Sequence, residues 1–302
     1  MNDSNGFVAR TVKITVTVLL VGPWTLSCGG ATASAPPPVT PTRAANVDDV
    51  AAGVMVHHRH HHYGGVTLLI AMSLDTIGVS PEHRPTVEKI RRAMLARMEL
   101  ARVAEQKLVA TLADGVADGN FKAARVAAAI AQVTAEAATV HDASTDLLNE
   151  LHDVLTPSER AALVDKVESH WAVWQEANAA ETDPASPEGD RLAMLATDLG
   201  LMQGQVDKIR MSLAERLKAV PRLDPQEILA HLRIFGDAFR SEKFDARALP
   251  TTNSANVHLA GWGATHLAHF IEAVSPELTP DQRAEYARRL REHAAHSSGG
   301  DS

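Results

Sequence analysis

Cysteine and aromatic residues are what this sequence has least of. One cysteine, Cys28, in 302 residues excludes any internal disulfide. Phe, Trp and Tyr together make up 4% of the chain, so a core must come from aliphatic side chains; the abundant Ala and Leu suit slender, closely packed helices. There is no basic excess either. The net charge of −8 and a pI near 6.0 give no bulk attraction for a polyanion, and no nucleic-acid partner is expected. Signatures of common catalytic sites are also missing. No Gly-rich phosphate loop follows a strand, and there is neither a nucleophile elbow nor a His-Glu-x-x-His helix. Ser, His and Asp are plentiful, but their spacing suggests no triad. The chain is therefore expected not to be an enzyme, with no catalytic residue.

Residues 1–28 read as an export signal: Arg10 and Lys13 form a basic start, Ile14 to Pro23 a short apolar stretch. That stretch is shorter than the roughly 20 apolar residues of a membrane span. Thr25-Leu26-Ser27-Cys28 resembles the lipobox at which bacterial lipoproteins are cut and acylated, with Thr25 where Leu is usual. Cleavage after Ala33-Ser34-Ala35 is the other reading, and it leaves the Cys28 thiol without a role. On either reading the mature chain works outside the cytoplasm; lipidation at Cys28 makes it periplasmic and membrane-anchored. Residues 29–65 hold an Ala/Ser/Thr/Pro-rich tether that cannot bury a core. They end in a His-rich tract of His57, His58, His60, His61 and His62. Clustered neutral imidazoles bind Zn²⁺, Ni²⁺ or Cu²⁺, though no Cys or fixed carboxylate completes a closed site. The other reading is a solvated low-complexity tract.

The folded part repeats itself. Leu155-Thr156-Pro157-Ser158-Glu159-Arg160-Ala161 returns as Leu278-Thr279-Pro280-Asp281-Gln282-Arg283-Ala284. Each is a helix start, with Thr as N-cap, Pro at the first helical position, and Glu159 or Gln282 placed to close a capping box. The stripe Val87, Ile90, Met94, Met98 is copied by Val206, Ile209, Leu213, Leu217, so two amphipathic helices bury the same face. Phe121 precedes Leu155 by the same interval as Phe244 precedes Leu278. The first copy reads as one helix from about Phe121 to Asp153, after a turn over Ala113–Gly119. The second reads as broken by Pro250-Thr251-Thr252-Asn253-Ser254, resuming from about Val257 to Val274. Leu163, Val167, Trp171 and Trp174 share a face of the next helix, as Tyr286 and Leu290 do of the last. The expected fold is all-α: two tandem units of long amphipathic helices, 66–180 and 191–296, forming a cradle- or hairpin-like bundle. A linker at 181–190 joins them, and 297–302 is a disordered tail.

The boxes resemble the Leu-Thr-x-x-Gln motif of the Spy/CpxP family of periplasmic stress proteins. Leu278-Thr279-Pro280-Asp281-Gln282 matches fully, and Leu155-Thr156-Pro157-Ser158-Glu159 differs by Glu for Gln. Leu201-Met202-Gln203-Gly204-Gln205 stands where the family has an earlier copy, with Met for Thr; Val79-Ser80-Pro81-Glu82-His83 is the most divergent of the four. The resemblance covers 66–296. It implies long, bent helices in a thin cradle, usually made by two antiparallel chains, and ATP-independent binding of unfolded client proteins or envelope-stress sensing. Relatives in the same superfamily bind zinc, nickel or cobalt, where N-terminal histidines matter. Two tandem copies then suggest an internal pseudo-dimer, with a homodimer as the other arrangement.

Several residues carry alternative readings. Trp171 and Trp174 are either client-facing aromatics or core. Lys89, Arg92 and Arg97, with Arg91, offer a local basic face for clients on an otherwise acidic chain. His266 and His269, with His258 about two turns earlier, could share a helix face and hold a metal, or be solvated and core-edge histidines. The function expected is client binding by a tethered chaperone or stress protein. The alternatives are a periplasmic metal-binding or metal-sensing protein and an inert structural lipoprotein.

Overall fold

The computed structural model describes residues 63–182, 189–218, 220, 223–249 and 251–296. The export signal, Cys28, the tether, His57 to His62 and the C-terminal tail lie outside them, as does most of the linker. All described residues belong to one unit, Ala45–Ser302. Among them the chain forms ten α-helices and no strand, so the fold is all-α. The helices are α1 (Gly65–Ser73), α2 (Arg84–Arg97), α3 (Glu99–Asp118), α4 (Ala123–Val154), α5 (Pro157–Thr182), α6 (Gly189–Leu199), α7 (Gln203–Leu217), α8 (Pro225–Arg240), α9 (Thr251–Val274) and α10 (Pro280–His296).

Local sequence accounts for these elements with three adjustments. The expected turn at Ala113–Gly119 is the end of α3. Gly115 lies under Phe121, whose ring would sit 2.3 Å from a Cβ there, and Gly119 then ends the helix at φ +64°. The helix expected from about Val257 begins earlier: after a 3₁₀ turn at Ala246–Ala248, α9 already starts at Thr251, so the polar residues form its first turn. Ser80-Pro81 opens a turn rather than a helix, with His83 and Arg84 N–H donating to Ser80 O, and α2 begins one turn later. The repeated stripes behave as expected, with Val87, Ile90 and Met94 buried in α2 and Val206, Ile209 and Leu213 buried in α7.

Helix α1 is apolar all round, and eight of its nine residues are buried. In its first turn the Val66 N–H donates to Asn256 Oδ1 at 2.8 Å, and Asn256 Nδ2 donates to Thr67 Oγ1 at 3.2 Å. The chain enters through Gly65 at φ +54°, where a Cβ would fall 2.5 Å from Asn256 Oδ1. Only glycine fits.

The two repeats interleave. The most extensive packing joins α4 to α9, its counterpart in the other repeat, while α3 packs on α10 and, in the equivalent exchange, α8 packs on α5. Within each repeat α2 lies on α4 as α7 lies on α9. One core combines α1, α2, α5 and the end of α4 with α8 and the start of α9. The other combines α6, α7, α10 and the rest of α9 with α3 and the start of α4. A boundary near residue 185 therefore separates the repeats in sequence, while each core draws on both.

Candidate functional site

The four motif copies meet in two pairs. Each pair joins the start of the second or seventh helix to the start of the last helix of its repeat. At Leu155–Glu159 the expected capping box is present. Glu159 N–H donates to Thr156 Oγ1 at 3.2 Å, and Glu159 Oε2 accepts from Thr156 N–H at 2.9 Å. The same carboxylate then reaches the earlier copy, accepting from Ser80 N–H at 2.8 Å and from His83 Nδ1 at 3.0 Å. Burial would raise the Glu159 pKa. The Ser80 and Thr156 N–H groups, His83 and the Thr156 hydroxyl together outweigh burial and hold it at about 2.

The second pair has the same plan in amides. Gln282 closes its box with Thr279, the N–H of Thr279 donating to Gln282 Oε1 at 3.0 Å and the N–H of Gln282 to Thr279 Oγ1 at 3.3 Å. Gln205 Oε1 accepts from Met202 N–H at 2.9 Å, while its Nε2 donates to Gln282 Oε1 at 2.9 Å and to Glu277 O at 2.6 Å. Gln282 Nε2 donates onward to Leu199 O at 3.2 Å. Met202 has no oxygen to cap with, so Gln205 completes only its half of a box. The arginine after each box repeats its role too: Arg160 Nη1 donates to Leu155 O at 3.5 Å and Arg283 Nη1 to Leu278 O at 2.9 Å. Leu155 and Leu278 are buried beneath.

These pairings are the part that sequence reasoning missed. The motif was readable, but the meeting of its copies across about 76 residues was not. One signal was available: both departures at the fifth motif position, His83 and Glu159, fall in the same repeat, while the other repeat keeps Gln205 and Gln282.

The remaining candidates scatter. Trp171 and Trp174 are corrected to core residues, 1% and 2% exposed and stacked at 4.8 Å, because the apolar face of α5 turns inward. A client cannot touch them in this conformation. Lys89 and Arg92 lie exposed on α2, whereas Arg97 is held by the Asp146 carboxylate and Ala143 O on α4. Arg91 pairs with Asp75 at 2.9 Å. Three histidines of α9 go to different partners. His258 Nδ1 meets Glu227 at 2.8 Å, His266 Nδ1 lies 3.0 Å from Trp262 O with its ring on that indole, and His269 lies 3.7 Å from Glu272. Among the described residues no three His, Cys, Asp or Glu side chains group so as to hold a metal ion. No helix among them is long and apolar enough to cross a membrane.

Among the described residues the large exposed apolar side chains are Leu100, Met194, Met202, Met211 and Ile234. Met211 stands on α7 where Arg92 stands on α2, three residues after Lys208 and Lys89 respectively. Equivalent helices thus present lysine beside methionine in one repeat and beside arginine in the other. No protein-family model matches the chain, and no curated protein or solved structure matches it.

Proposed function

We propose that the protein is an exported, membrane-tethered, ATP-independent chaperone or envelope-stress protein. It holds exposed apolar segments of unfolded clients on its helical surfaces and releases them without nucleotide hydrolysis. The observation that carries this reading is the pairing of all four motif copies, since unrelated helix caps have no physical reason to meet two by two. The exposed methionines on α6 and α7 add to it, because a flexible thioether side chain adapts to varied apolar partners. The exchange of helices between repeats is read as an internal pseudo-dimer, one chain supplying what two chains supply in the family it resembles. Acylation at Cys28 would tether it to the membrane with the tether as spacer.

Full chain carrying Cys28→Ser, added at near-stoichiometric ratio to several thermally unfolded clients, is expected to suppress their aggregation. No effect on any of them contradicts the reading. A second reading is metal binding, and five histidines within residues 57–62 favour it. Calorimetric titration with Zn²⁺, Ni²⁺ and Cu²⁺ tests it. Loss of heat when the five are replaced by Ser supports this reading, and equal heat removes it.

A further inference from the structure

A cavity of about 350 Å³ opens between the start of α8 and the middle of α9, away from both motif pairs. Leu223, Val257 and Trp262 form its apolar wall; Asp224, Glu227 and His258 bring the ionisable groups. The wall is backed: Trp174 meets the Trp262 indole edge-on at 5.6 Å and His266 lies against it at 4.1 Å. The carboxylates are held as well. Asp224 caps α8 by accepting from Gln226 N–H at 2.9 Å, and Glu227 accepts from His258 Nδ1 at 2.8 Å. On the interval fixed by Phe121 and Phe244, Thr139 and Ala135 stand where α9 has Trp262 and His258. The second repeat alone therefore carries the indole and the imidazole.

We propose that this cavity binds a basic apolar segment of a client protein, a lysine- or arginine-bearing stretch whose aliphatic stem lies along Trp262 and whose cation reaches Asp224 and Glu227. The inference rests on the chaperone reading and names the client chemistry for one of its surfaces. An indole face attracts a cation and accepts its methylene stem. Two carboxylates at one apolar opening repel an acidic segment, and the half-burial of Glu227 lessens the screening of its field, while Asp224 is exposed. The chain's acidity, which disfavours a generally basic cradle, is an asset here.

The test is calorimetric titration of the full chain carrying Cys28→Ser with a synthetic amphipathic peptide of Leu and Lys, and with the same peptide bearing Glu for Lys. The Lys peptide is expected to bind and the Glu peptide not. Asp224→Asn with Glu227→Gln, where Asn still caps α8, should weaken the Lys peptide about tenfold. Removing the same charge from exposed positions elsewhere, by Glu82→Gln with Asp118→Asn, should leave binding unchanged. Equal binding of both peptides, no binding of the Lys peptide, or equal loss in both double variants overturns the proposal. Wild-type suppression of client aggregation alongside any of those results removes the cavity and keeps the chaperone. Charge-dependent Lys-peptide binding without suppression does the reverse.

Discussion

At the same motif positions, the first repeat joins its helix starts through a carboxylate and an imidazole, the second through two carboxamides. The chemistry differs, yet the jobs match: each satisfies free N–H groups at a helix start while tying it to a second element. An amide donates and accepts, so Gln282 can donate to Leu199 O and accept from Gln205 Nε2 at once. A carboxylate only accepts, so Glu159 must gather donors, and it gathers Ser80, His83 and Thr156. All four bonds of the charged version end on Glu159, whereas the amide version divides six between Gln282 and Gln205. The charged version should be the more brittle.

Breaking each pair tests this first. Glu159→Ala removes a buried carboxylate with its charge-assisted bonds to Ser80, Thr156 and His83 and should cost about 3 kcal/mol; Gln282→Ala should cost about half as much. Urea denaturation of the two variants compares them directly, and equal losses would say that the charge adds nothing.

Acid separates the pairs next. Glu159 titrates near 2 in the folded chain against 4.5 ordinarily, so the folded state binds its proton less readily. Its contribution is whole above pH 4.5 and disappears as pH falls toward 2, up to about 3 kcal/mol in all. Glu159→Gln cannot titrate, so the stability gap between it and wild type should shrink over that window. The matching variant Gln282→Ala should show a gap that does not change with pH.

A smaller effect sharpens the equivalence. Glu159→Gln and His83→Gln should each destabilise, by about 1–2 kcal/mol, while the double variant rebuilds the amide pair and loses less than their sum. Strict additivity would mean the two sites do not substitute for each other. The smallest difference is in the caps. Thr279→Ala should cost about 1 kcal/mol, and Thr156→Ala somewhat more, because the Thr156 hydroxyl also donates to Glu159 at 2.9 Å.

What could be read from the sequence was local. The boxes at Thr156 and Thr279, the stripe from Val87 and its copy from Val206, and the long α4 follow from contacts three or four residues apart, which residue types alone specify. Gly115 looked like a turn because its reason for being glycine, the Phe121 ring, lies outside the helix pattern. Trp171 and Trp174 could be assigned a face but not what that face meets. The exchange of α3 and α8 between repeats is set by long-range packing, which no local signal carries. The two motif pairs stand between these cases, since a pairing of copies was written in the shared departure of His83 and Glu159.

The repeats form one interleaved body, in which each motif pair is seated on one core while α4 and α9 run through both. Native-state hydrogen exchange on the full chain, wild type against Glu159→Ala, tests it most directly. The account predicts faster exchange in both cores, including α3 and α10 as well as α1 and α2, because α4 runs through both. Faster exchange confined to residues 65–182, with 189–296 protected as in wild type, would contradict it.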